Sequence, residues 1–161
     1  MITLERGMRH LAWADEAFFT ALADRPADAL NARVSSNSWT VGQLAMHIVQ
    51  GAQWYRYCLT GEMWTDLIIP ADCAQVTALR AELAVVNGVL CAQVAEPDAV
   101  VTFADEDGPS SALRSTILTQ AFLHATEHRA QISAALEVGG YGPIVLDDLD
   151  LWTFERRDRV T

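Results

Sequence analysis

Four long stretches of this chain repeat apolar residues every three or four positions, and that periodicity restricts the fold to helices packed on one another. The first stripe, Leu4, Met8, Leu11, Phe18 and Leu22, predicts a helix over 3–24 that ends before Arg25-Pro26. Asp15 falls on the same stripe. The second stretch has the sharpest start in the chain. Thr40 with Gln43 forms a T-x-x-Q capping box, and Trp39 and Leu44 are placed to make the accompanying hydrophobic staple. From there Leu44, His47, Ile48, Gly51, Tyr55 and Cys58 share one face, and Thr60-Gly61 closes the helix. A third helix begins near Asp72 and carries Val76, Leu79, Leu83, Val86 and Leu90 as a plain apolar stripe with no polar intruder, stopped by Pro97. The fourth starts near Ser115 and ends where Gly139-Gly140 follows Val138.

Between the third and fourth helices the period changes. Val100, Val101, Thr102 and Phe103 favour a strand, Asp105 to Pro109 reads as a turn, and a short hairpin returning through 111–113 is expected. After the GlyGlyTyrGlyPro turn, Asp147 or Asp148 is expected to cap a short last helix through Leu149, Trp152 and Phe154. The expected fold is all-α: an antiparallel four-helix bundle crossing near +20°, with the hairpin between helices three and four and the short C-terminal helix appended. At 161 residues, one domain spanning 1–161 suffices to bury a core.

Composition limits the partners. The formal charge is −10, and all eleven basic residues are arginine, so a nucleic-acid surface built of clustered cations is not expected. No apolar run stands out as long enough to span a bilayer. Three cysteines (Cys58, Cys73 and Cys91) without a CxxC unit, and an N-terminus that opens on helical pattern, lead us to expect the reducing cytoplasm.

The polar residues on the apolar faces carry the chemistry. His124 and His128 lie four residues apart and stack on one helix face, where Leu or Ile would be usual. His47 sits on the core side of the second helix. A core imidazole must satisfy two nitrogens, and each one left unpaired costs about 1–3 kcal/mol. Three of them around one divalent ion resolve that cost and leave coordination positions open, as in sites that do chemistry. Taken singly, each is more readily a satisfied core residue or a partly exposed one than a ligand. His124 is followed by Ala125, so the glutamate of an HExxH protease is missing. Asp15 is the candidate catalytic carboxylate, able to orient a ligand or take a proton; the alternative is a partly exposed carboxylate near the end of the bundle. Glu127 is expected to be solvated or salt-bridged, Gln131 to hydrogen-bond near the site, and His10 to lie at the surface or rim. Arg129 is expected to point off the seam and make a structural salt bridge or bond a helix end, and Trp13, Trp39 and Trp54 to form core or pocket wall.

Several segments together resemble the DinB/YfiT-like family over almost the whole chain. They are LeuAlaTrpAlaAsp at 11–15, Ser38-Trp39-Thr40 with LeuAlaMetHisIle at 44–48, Leu59-Thr60-Gly61, the Gly108 turn, HisAlaThrGluHisArgAlaGln at 124–131, and GlyGlyTyr followed by AspAspLeuAsp. The resemblance implies a helical bundle with a three-histidine metal site, which maps onto His47, His124 and His128. Family members often read H-x-x-H-H-R-G-Q in the fourth helix; here Glu127 and Ala130 replace a His and the Gly, leaving the triad itself intact.

Three neutral imidazoles suit zinc or nickel, with manganese or iron as further options. Such an ion lowers the pKa of bound water or holds a thiol as thiolate. Two chemistries follow: hydrolysis, or transfer and isomerisation using a low-molecular-weight thiol cosubstrate. The resemblance favours the thiol, because characterised relatives use one. A small-molecule substrate and a homodimer are expected. The contrasting reading is a metal-stabilised binding module without catalysis, whose ion would have no pocket beside it.

Overall fold

The structure, a computed structural model, describes residues 3–159. Its main elements in chain order are α1 (Leu4–Ala23), α2 (Val41–Thr60), α3 (Cys73–Ala92), β1 (Val100–Asp105), β2 (Gly108–Leu113), α4 (Arg114–Val138) and α5 (Leu151–Asp158). Short 3-10 turns at Ala27–Asn31, Gln93–Ala95 and Leu146–Leu149 join some of them. The chain is mostly helical. The antiparallel β1–β2 hairpin, with Val100 opposite Leu113 and Asp105 opposite Gly108, makes "all-α" an approximation.

Local chemistry explains where the helices start. Both arms of the α2 capping box form: the Gln43 N–H donates to Thr40 Oγ1 at 3.2 Å, and the Thr40 N–H donates to Gln43 Oε1 at 2.9 Å. Gly61 closes α2 at φ 75°, in the left-handed region that favours glycine. At α3 the Asp72 carboxylate accepts the Gln75 N–H at 2.8 Å, and Gln75 Oε1 takes the Ala71 N–H at 2.7 Å. The residue before α4, Leu113, offers no side-chain cap. Asp98 does so from across the hairpin, accepting the Ser115 N–H and hydroxyl at 2.9 Å each. The cap of α5 is Asp150, which takes the Thr153 N–H at 2.7 Å. Asp147 and Asp148, the expected caps, belong instead to the preceding 3-10 turn.

Helix α1 packs on α3 and α4, and α2 packs on α4 and α3. Phe18, Phe19, Leu22, Ile48, Leu83, Leu90, Leu118, Ile132 and Leu136 are sealed between them. Truncating either phenylalanine to Ala is expected to cost about 3–5 kcal/mol. Two expectations for α3 need correction. Its stripe does hold a polar residue, Asn87, which is buried. The segment Cys73–Ala95 also reaches the length and apolarity of a membrane span, at a mean hydropathy of 1.4. That value comes largely from alanines and valines around Arg80 and Glu82, and Val76, Leu79, Leu83, Val86 and Leu90 are buried in the fold, so it is weak evidence for a membrane.

Candidate metal centre

His47 on α2 and His124 and His128 on α4 come together, each half-buried. One nitrogen from each ring falls within 4.8 Å of the other two. Nε2 of His47 and Nε2 of His124 are 3.2 Å apart, and the three ring centroids are separated by 4.4–4.9 Å. An ion bound by imidazole at about 2.0–2.1 Å sets its tetrahedral ligands roughly 3.4 Å apart. The closest pair already meets that spacing, and the widest must draw in by at most about 1.4 Å, within reach of side-chain rotations. The donor set fits a divalent ion.

Three features prepare the rings for that role. Burial, with His128 and His47 nearby, lowers the pKa of His124 from the ordinary histidine range to about 4. Burial also lowers that of His47, with a further contribution from His128. Burial thus favours the neutral form of both rings, the form in which an imidazole can hold an ion. The His128 tautomer is set by a relay. Gln131 Nε2 reaches the Glu127 carboxylate at 3.4 Å, which turns Gln131 Oε1 toward His128 Nδ1 at 2.8 Å. A carboxylate only accepts, so the amide nitrogen must face Glu127, and Nδ1 of His128 then carries the proton. Nε2 is left with its lone pair for an ion. Finally, His124 lies against the backbone of α2 at Gly51. A Cβ there would sit 2.3 Å from His124 Cε1 and 2.8 Å from Nδ1, so a methyl group at this position would force the ring to shift.

An open cleft of about 410 Å³ adjoins the rings. His128 and Gln131 line it, with Val34, Ser38 and Trp39 from the α1–α2 connection and Leu44 and Ala135 from the helices. Trp39 stands edge to face against His47, 4.7 Å between centroids, and is 49% exposed. It is therefore pocket wall.

Asp15 is not the partly exposed carboxylate that one reading expected; it is 2% exposed. Arg129 forms an ion pair with its Oδ1, and the Asn87 amide donates to Oδ2 at 2.9 Å. Burial pushes the Asp15 carboxyl above the usual range, against the pull of Arg129 and of the Asn87 hydrogen bond. A small internal cavity is lined by both Asp15 and His124, so the carboxylate lies in the layer beneath the histidines. Arg129 makes the expected structural salt bridge, but it is 4% exposed and points inward, not off the seam; its partner on α1 is what permits that. His10 is likewise no surface residue: it is buried, its Nε2 is 2.8 Å from the Leu149 carbonyl, and it packs against Trp13, Phe122 and Phe154. Trp54 packs on Tyr57, Trp64 and Phe103. The three cysteines are free, and burial raises the Cys58 thiol to about 11, far from thiolate reactivity.

The fold and the site thus define a class: mostly helical proteins with three histidines on two helices, placed to hold a divalent ion beside a cleft. A profile of the DinB family matches residues 1–158, and the chain belongs to that family. No curated protein matches it.

Proposed function

We propose that this protein is a metal-dependent enzyme whose ion is held by His47, His124 and His128 and whose substrate is a small molecule entering the cleft beside His128. The observation that carries the reading is that the histidine cluster borders an open space of about 410 Å³. A purely structural ion would be closed off by a fourth ligand. Zinc or nickel suits the donor set best, with manganese or iron next. A bound divalent ion would supply Lewis acidity, favouring the deprotonated form of a small thiol or of water at neutral pH. The chain's own residues hold and orient. The Glu127–Gln131 relay keeps the proton on His128 Nδ1, Gly51 lets His124 lie close to α2, and Trp39 braces His47. Both oxygens of Asp15 are engaged, so we assign it to holding Arg129 and the inner face of α4 rather than to proton transfer. Of the two chemistries, activation of a low-molecular-weight thiol for transfer or isomerisation stands ahead of hydrolysis.

We read the packing of α1 to α4 as a four-helix bundle, with the whole chain as one domain. A non-catalytic dimeric module is the second reading. It is favoured by the α2–α3 connection, which exposes Met63, Trp64, Ile68 and Ile69. Protein prepared without a polyhistidine tag should carry about one divalent ion per chain by elemental analysis, and His47→Ala and His128→Ala should lose most of it. Thiol-transfer and esterase assays before and after metal stripping then separate enzyme from module. Unchanged metal content in the variants removes the site; unchanged rates after stripping remove the metal chemistry.

A further inference from the structure

The walls of the cleft restrict what can occupy it. Val34, Trp39, Leu44 and Ala135 are apolar, and Ser38 and Gln131 are polar but uncharged. Among the described residues, no arginine lines it. Arg33, the neighbour of Val34, is exposed and lies outside the lining. The Gln131 amide that faces the cleft is itself tied to the Glu127 carboxylate, which places negative charge at that edge of a chain with formal charge −10. Against this wall, away from the ion that the histidines would hold, a carboxylate or phosphate would give up water without gaining a counter-charge, whereas an apolar ring or alkyl group loses nothing by leaving water.

We propose that the cleft selects a substrate with an uncharged, apolar, preferably aromatic body stacked on Trp39, its reactive group directed at the three histidines, and that a negative charge on that body, remote from the ion, is discriminated against. This rests on the metal-enzyme reading and narrows its substrate class. Trp39 and Val34 act as specificity-determining residues. The indole is about half open to solvent, and Val34, 51% exposed, lines the same cleft from the same connection.

The test uses two thiols that differ only in charge, phenylmethanethiol and 4-(sulfanylmethyl)benzoate, titrated calorimetrically into metal-loaded protein at neutral pH, with metal content measured on the same samples. The neutral thiol is expected to bind about tenfold tighter or better. Val34→Arg, at an exposed position where folding is not at stake, is expected to shrink or reverse the preference. Trp39→Ala is expected to weaken the neutral thiol by about tenfold. Equal or tighter binding of the benzoate by the wild type overturns the proposal, most plainly if Arg33→Gln abolishes it. An unchanged preference in Val34→Arg overturns the assignment of this wall. If the chain carries no ion, the metal reading fails separately. The selectivity is then read on metal-free protein with toluene and 4-methylbenzoate by saturation-transfer NMR, where stronger transfer to toluene upholds it and equal or stronger transfer to the benzoate overturns it.

Discussion

Gly51→Ala is the sharpest test of the histidine centre, because it adds one methyl group at a position where two effects of opposite sign can be separated. The added Cβ would meet His124 Cε1 at 2.3 Å. Ordinary carbon contacts begin near 3.5 Å, so the ring must retreat by about 1.2 Å. Metal–ligand distances tolerate only about 0.2 Å, and His124 therefore leaves the coordination sphere. Loss of metal affinity of at least about 10–100-fold follows, roughly 1.4–2.7 kcal/mol. Meanwhile Ala in a helix interior favours the fold by about 0.8–1.0 kcal/mol over Gly. The metal-free variant should thus unfold within about 1 kcal/mol of wild type while its metal binding collapses. Gly88→Ala is the matched control: it is an exposed glycine inside α3 with nothing within 4 Å of its Cβ position. It should gain stability by a similar fraction of a kilocalorie and bind metal as wild type does. The assay is metal titration against a competing chelator, with urea unfolding of the metal-free proteins alongside. Wild-type affinity in Gly51→Ala would refute the argument that His124 seated on α2 is a ligand.

The remaining predictions concern the supports of the site. Gln131→Leu removes the acceptor of the His128 Nδ1 proton and should weaken metal binding by about tenfold, whereas Glu127→Ala, one step further out, should cost less; the same chelator competition reads both. Asp15→Ala leaves Arg129 buried without its partner and should destabilise by about 3–5 kcal/mol in urea, while the folded fraction still binds metal; a variant as stable as wild type would refute the buried pair. Metal-free protein should lose stability on acidification. The folded pKa of His124 is depressed to about 4, so the unfolded chain takes up the proton first, and its contribution is complete above about pH 6.5 and lost as pH falls through 4. After discounting for solvent at a half-buried group, that contribution is about 2 kcal/mol. His124→Gln should flatten the profile in that window, and a profile as steep as wild type's would count against it.

Periodicity made much of this legible. The 3-4 repeats located the four long helices to within a residue or two at most ends, and the Thr40–Gln43 box marked the start of α2. The change of period located the hairpin. The histidines were visible as polar intruders on apolar faces, because i and i+4 share a face whatever the rest of the fold does. What could not be read were facts created by pairing between distant segments. Arg129 points inward only because Asp15 arrives from α1, and Asn87 joins them from α3. His10 is buried only because the segment at Leu149 folds back over it. Gly51, one turn beyond His47, was the one signal that could have been used: a glycine on the core face of a strongly capped helix marks a close approach. Val34 was beyond reach, since a connection has no period to say which side chains line a cleft.

Two of the rings ride on α4 and the third on α2, so an ion there would act as a rivet between two helices that meet nowhere in sequence. Either helix would have to shed the cation before it could open. As metal concentration rises, the opening free energies read by amide exchange along both should rise together by RT ln(1 + [metal]/Kd), while the outlying α5 stays indifferent. Occupancy of the centre would thereby be written into the breathing of both helices.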